Sequence, residues 1–244
     1  MGEGRTAIVT GGGKRVGAKI VAALLEDGWT VVAHVHRESD PVPDGAVKAV
    51  ADLAETDCAS RIFAAAESHP PVRLLVNNAA RFAFDVIDEF RPDEFAAHMA
   101  INVQAAALLI QRFAQARRDR EDALIVNLLD SKLAAPNPDF LSYTLSKQAL
   151  AGLTELAARA LSRRGIRVNG IAPGLMLRSS GQSEENFRRM HAGNPLDRGV
   201  TAEDVIAAIG YLLNAPTVTG QTLWLDSGHR FMSLERDVQF LGDK

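Results

Sequence analysis

Short apolar runs rich in β-branched residues alternate along this chain with longer stretches rich in Ala and Leu. The runs at Ala7–Thr10, Thr30–Val35, Ala46–Val50, Leu74–Asn77, Ala123–Leu128, Arg167–Ile171 and Thr222–Leu225 are too continuous for strands with one wet face. They predict strands covered on both sides. Apolar residues at helical spacing predict helices over 16–27, 56–68, 92–117, 142–164 and 202–214. Such alternation implies one parallel sheet sandwiched by helices. One connection breaks the pattern: only His36–Gly45, with Pro41 and Pro43, joins the second and third strands. A parallel crossover usually runs to about a dozen residues or more, commonly through a helix, and here the prolines leave room for a turn. No repeat, low-complexity tract or linker interrupts the series, so residues 1–244 read as a single domain.

Composition narrows the class. Of the 244 residues, 47% are hydrophobic, enough for a large core, and the net charge is −3. That balance argues against non-specific binding to nucleic acid or membrane. The lone Cys58 excludes an intrachain disulfide, and the short polar start before Ala7 carries no signal-peptide pattern. No apolar run approaches the roughly 18 residues that span a bilayer. The expectation is a cytoplasmic globular protein without a bound metal, since the His residues show no ligand spacing.

Chemistry enters at three places. Thr10-Gly11-Gly12-Gly13-Lys14-Arg15-Val16-Gly17 lies between the first strand and the first helix. Small residues there let the backbone approach a pyrophosphate, and the helix start offers free N–H groups and a positive dipole end. The second strand ends Ala33-His34-Val35-His36-Arg37, with no acid before Glu38. A carboxylate at that point would favour a free ribose. Arg37 instead supplies a fork of donors suited to a phosphate, with His36 and Ser39 as further donors. The plainer alternative is a solvated Arg37 paired with Glu38 or Asp40. Third, Tyr143 and Lys147 are four residues apart in a helical stretch and share a face. Hydride reduction creates a basic atom that needs a proton, and an ammonium near the phenol would ease its release.

These motifs, from Thr10 to Asp226-Ser227-Gly228, resemble the short-chain dehydrogenase/reductase family. The resemblance implies a doubly wound, Rossmann-type sheet of seven parallel strands with helices on both faces. Arg15 at a position usually Gly, and His-x-His-Arg in the second strand, are similar to the pteridine-reductase and dihydromonapterin-reductase branch. By the resemblance, Gly11, Lys14, Arg15 and Val16 hold the cofactor phosphates. Asp52 and Leu53 flank its adenine, with that side of the site open, and Asn78, Ala79, Ala80, Pro173 and Gly174 line the nicotinamide cleft. Lys147 holds the nicotinamide ribose, and Asn102 orders a water between its helix and Lys147.

Most of the family has Ser thirteen residues before the Tyr. Here that position is Asp130, as in pteridine reductases, with Ser131 next. A carboxyl there can pass a proton through the Tyr to a ring nitrogen; a one-residue slip would make Ser131 the ordinary Ser. Phe82 falls where that branch stacks its pterin, although a core or lid Phe reads nearly as well. Arg15, Phe82, Asp130 and Tyr143 therefore form the expected substrate site, and Leu175–Gly199, rich in Ser, Asn, Arg and Met, a mobile lid. The expected function is NADPH-dependent hydride transfer to a C=N bond of a dihydropterin-like substrate, by a homotetramer. The rivals are an ordinary carbonyl reductase or alcohol dehydrogenase and a non-catalytic NADP sensor.

Overall fold

A computed structural model describes residues 4–117, 121–179, 181–232 and 234–241. Its strands are β1 (Thr6–Val9), β2 (Thr30–Val35), β3 (Val47–Val50), β4 (Val72–Asn77), β5 (Ala123–Leu128), β6 (Ile166–Pro173) and β7 (Thr222–Leu225). They form one parallel sheet in the order β3-β2-β1-β4-β5-β6-β7. The helices are α1 (Arg15–Glu26), α2 (Cys58–Ala64), α3 (Pro92–Met99), α4 (Ala105–Ala116), α5 (Leu141–Leu161), α6 (Glu184–Ala192) and α7 (Ala202–Leu213).

The uninterrupted apolar strands follow from this layering. Ile8, Val32, Leu75 and Ile125 pack with Phe63, Leu109 and Phe113 from α2 and α4. Their neighbours Ala7, Val31, Leu74 and Val126 face the opposite way, against Ile20 of α1 and Val205 and Ile209 of α7. The central strands thus bury both sets of alternating side chains, and the polar half of the usual alternation disappears, whereas the edge strands β3 and β7 are mostly half-buried. The chain reverses its winding between β1 and β4, and the carboxyl ends of those strands open a crevice, the usual ligand position in such sheets.

Several boundaries moved. Thr10 lies outside β1, β6 runs on to Pro173, and α2 is much shorter than 56–68. The predicted helix 92–117 is broken by a π-helical segment, Ala100–Gln104, around Asn102. As expected, His36–Ala46 contains no helix. That loop does not leave its end of the site bare, however: Val42 packs into the α1 side of the core, and a Cβ on Gly13 would meet the Pro41 carbonyl oxygen at 2.3 Å. The span read as a lid contains α6, with Ser183 capping its N-terminus by accepting from the Asn186 N–H. Its polar composition hid it, because Phe187 and Met190 are the only large apolar residues in α6. Residue 180 of that span lies outside the described residues.

Candidate active site

The crevice holds a cavity of about 770 Å³ that runs from the β2 end, past the glycine turn, to the start of α5. Its floor is a knot of short bonds. Thr10 Oγ1 accepts from the backbone N–H groups of Asn78 and Ala79, both at 3.0 Å, and Asn78 Nδ2 donates to the Thr10 carbonyl at 2.8 Å. Gly17 seals the turn: a Cβ there would lie 2.0 Å from the Gly11 carbonyl oxygen. Gly11 has φ +64 and Arg15 has φ +54, so the residue usually Gly in this family does occupy the left-handed region. Arg15 also reaches across the cleft to the Arg178 carbonyl at 3.4 Å. Gly11, Lys14, Arg15 and Val16 all line the cavity.

Sequence reasoning overlooked His34. It is buried beneath this turn, accepting from the Gly11 N–H through Nδ1 at 3.2 Å and contacting the Ala51 carbonyl through Nε2 at 3.0 Å. That pairing requires the neutral ring, and burial holds its pKa below the ordinary value. The polar strand residue between Ala33 and Val35 was the signal available. At the outer end, His36 and Asp52 line the cavity, with His36 Nε2 3.6 Å from Asp52 Oδ2, and Leu53 lies beside them. Arg37 and Ser39 are exposed and are not part of the wall. The Arg37 backbone N–H donates to Asp40, and its guanidinium makes no bond among the described residues.

At the inner end α5 presents Tyr143 and Lys147 one turn apart, both buried. The Tyr143 hydroxyl donates to Asp130 Oδ2 at 2.7 Å, while Asp130 Oδ1 accepts the Lys132 N–H at 2.8 Å. Ser131 is buried beside them. Lys147 Nζ donates to the Leu128 carbonyl at 2.6 Å and lies 5.6 Å from the Tyr143 ring centroid. The expected easing of the phenol by Lys147 is absent in the protein by itself. Burial, and then the Asp130 charge and hydrogen bond, raise the Tyr143 pKa well above its ordinary value. Burial lowers Lys147 to about 8. The phenol is therefore held protonated, a donor rather than a base.

The Asn102 side chain makes no hydrogen bond to Lys147. It accepts from the Arg81 N–H at 2.7 Å, donates to the Arg81 carbonyl at 3.0 Å and donates to Ser146 at 2.8 Å. One turn earlier, His98 Nε2 accepts the Ala83 N–H at 3.2 Å, and Glu94 forms a two-bond ion pair with Arg81. This stripe clamps both sides of Phe82. The Phe82 ring lines the cavity, stacks on Phe140 at 4.3 Å and meets Tyr143 edge-on at 4.7 Å. Asn78, Ala79, Ala80, Pro173 and Gly174 complete the inner wall, with the Asn78 side chain also tied to the turn.

Two cavity residues carried no sequence signal: Lys132, buried, and Asp237, which meet at 3.0 Å although 105 residues apart. Among the described residues no group of His, Cys, Asp and Glu could hold a metal, and no helix is long and apolar enough to cross a membrane.

Comparison with known proteins adds four similarities. The family described as enoyl-(acyl carrier protein) reductase matches residues 13–230. Pteridine reductase 1 of Leishmania tarentolae is 30% identical, covering 91% of this chain and 95% of that protein. 3beta-Hydroxysteroid dehydrogenase 1 of Eggerthella lenta is 31% identical, over 98% of this chain and 97% of its own. The crystal structure of FolM alternative dihydrofolate reductase 1 from Brucella suis, in complex with NADP, superposes with a TM-score of 0.87 at 33% identity, over 95% of this chain and 97% of that one.

Proposed function

This chain belongs to the short-chain dehydrogenase/reductase family, and from that membership we propose that it reduces a C=N bond of a dihydropterin-like substrate with NADPH. It is an NADP(H)-dependent oxidoreductase. The observation that carries the finer reading is the 2.7 Å bond from Tyr143 to Asp130, with a carboxylate where an ordinary carbonyl reductase uses a hydroxyl.

The residues present fit the cofactor. The glycine turn leaves no room for a Cβ at Gly17 and exposes the start of α1 towards the cavity, a cradle for a pyrophosphate. His36, Arg37 and Ser39 would meet the 2′-phosphate, Asp52 and Leu53 the adenine, and Lys147 the nicotinamide ribose. When bound, the cofactor supplies a hydride to the electron-poor carbon. Tyr143 gives the accompanying proton to the substrate nitrogen and is reprotonated from solvent by way of Asp130. Burial keeps the phenolic proton available for this step. Phe82 supports the flat ring, Arg15 touches both ligands and Asn102 holds the loop that carries Phe82.

The chain works as one domain, with residues 175–199 as its substrate lid. Leu145 and Leu156 on α5 are exposed, and their apolar surface supports assembly into a homotetramer, in the cytoplasm. Carbonyl reduction is the second reading, favoured by the similar steroid dehydrogenase. A panel of dihydropterins, diketones and hydroxysteroids, followed by loss of NADPH absorbance, separates the two. Turnover of ketones with no turnover of dihydropterins refutes the C=N reading. No single-turnover NADPH oxidation with any of them would mark a sensor.

A further inference from the structure

The Phe82 ring is the outermost member of an aromatic stack that reaches the C-terminal segment. Phe82 stacks on Phe140 with centroids 4.3 Å apart and planes 19° apart, and Phe140 stacks in turn on Phe240 at 6.2 Å, again at 19°. Phe84 closes the side of the stack, edge-on to Phe140 at 5.3 Å and to Phe240 at 5.4 Å. Phe140 takes its place with φ +57, a conformation disfavoured for a bulky side chain. Such a residue persists only where its surroundings over-determine it.

Those surroundings are polar and specific. Arg236 forks onto buried Asp139, the residue before Phe140, at 2.8 and 2.9 Å, and the Asp237 N–H donates to the same carboxylate at 2.7 Å. Lys132 ties Asp237 to the Asp139 carbonyl, and Asn186 of α6 donates to the Leu241 carbonyl at 2.7 Å. Phe240 is therefore fastened on both sides along the chain. It does not line the cavity itself, whereas Asp237 and Val238 do.

The structure assigns the segment Arg236–Leu241 a role in substrate selection: it fixes a preformed ring stack, Phe240–Phe140–Phe82, onto which a planar heteroaromatic substrate is laid. Phe240 is a positioning residue acting through Phe140 and Phe82. This rests on the reading of the cleft as a pterin-type reductase site, since a flat substrate gains from an aligned ring whereas an aliphatic one does not.

The test replaces Phe240 with Leu, which keeps apolar bulk but has no ring face, and with Tyr, which restores one. Binding of a non-reducible diaminopteridine to the NADP-loaded enzyme is measured by fluorescence, beside KM and kcat for a dihydropterin and a small diketone. We expect Phe240→Leu to weaken diaminopteridine binding and raise the dihydropterin KM about three- to tenfold. The kcat, the diketone KM and NADPH affinity should stay near wild type, and Phe240→Tyr should restore the affinity. Unchanged diaminopteridine binding in Phe240→Leu, or an equal loss for the diketone, overturns the stack. Should wild type reduce no dihydropterin yet bind the diaminopteridine through Phe240, the functional reading falls and the stack stands.

Discussion

The Tyr143 hydroxyl donates to Asp130 rather than to Ser131, at 2.7 Å, and the second Asp130 oxygen is fixed by the Lys132 amide. One proton can thus pass along a carboxyl–phenol pair whose geometry is set by α5 and by the turn that follows β5.

That pairing separates the two residues. Asp130→Ser should cripple reduction of dihydropterins yet spare, or create, reduction of simple carbonyls, and Ser131→Ala should change either rate little. Steady-state rates with both substrates decide it. Loss of all activity in Ser131→Ala with retention in Asp130→Ala would return the chain to ordinary Ser chemistry.

Tyr143→Phe keeps the ring and its packing against Phe82 but removes the proton. Turnover should fall by about 10²–10⁴ while NADPH still binds. A variant that retains activity refutes the assignment.

Arg37 has an exposed guanidinium with no bond among the described residues, free to close on a 2′-phosphate. Arg37→Asp should weaken NADPH by roughly ten- to a hundredfold, equivalent to about 1.5–3 kcal/mol, and NADH little. Titration of nucleotide fluorescence measures both constants, and equal losses for the two would remove Arg37 from the phosphate site.

Lys147 sets a pH dependence. Its folded pKa of about 8 lies below the ordinary 10.5 because of burial. Below pH 8 both folded and unfolded chains carry the proton, and the cost of burying the ammonium is present in full. Between 8 and 10.5 the unfolded chain binds more protons, so this contribution to stability rises with pH. The urea midpoint of wild type should therefore gain on Lys147→Met across that window. NADPH affinity should fall there, as the ammonium proposed to hold the ribose is lost. A midpoint difference that ignores pH would place the titration elsewhere.

Gly17→Ala tests the turn. The added Cβ would meet the Gly11 carbonyl at 2.0 Å and Asn78 Nδ2 at 2.7 Å, so α1 must shift from the knot at Thr10. Overpacking of this kind costs about 1–3 kcal/mol, and the shift should abolish NADPH binding. A lowered Tm together with a missing nucleotide response is the expected result; normal NADPH affinity would mean that the turn does not hold the phosphates.

The sequence by itself determined the parallel sheet, the helix-free link from β2 to β3, the glycine turn and the Tyr143–Lys147 pair. Each is local: a run of apolar residues, two prolines in ten positions, or side chains one turn apart carry their meaning within a short window. Tertiary structure alone decided the rest. It buried His34 under the turn, spent Asn102 on the Arg81 backbone, and raised the Tyr143 pKa where a neighbouring lysine suggested the opposite. It also brought Asp237 to Lys132 and Phe240 to Phe140, across about a hundred residues of chain. Desolvation and long-range contact depend on what surrounds a group in space, and no spacing along the chain encodes that.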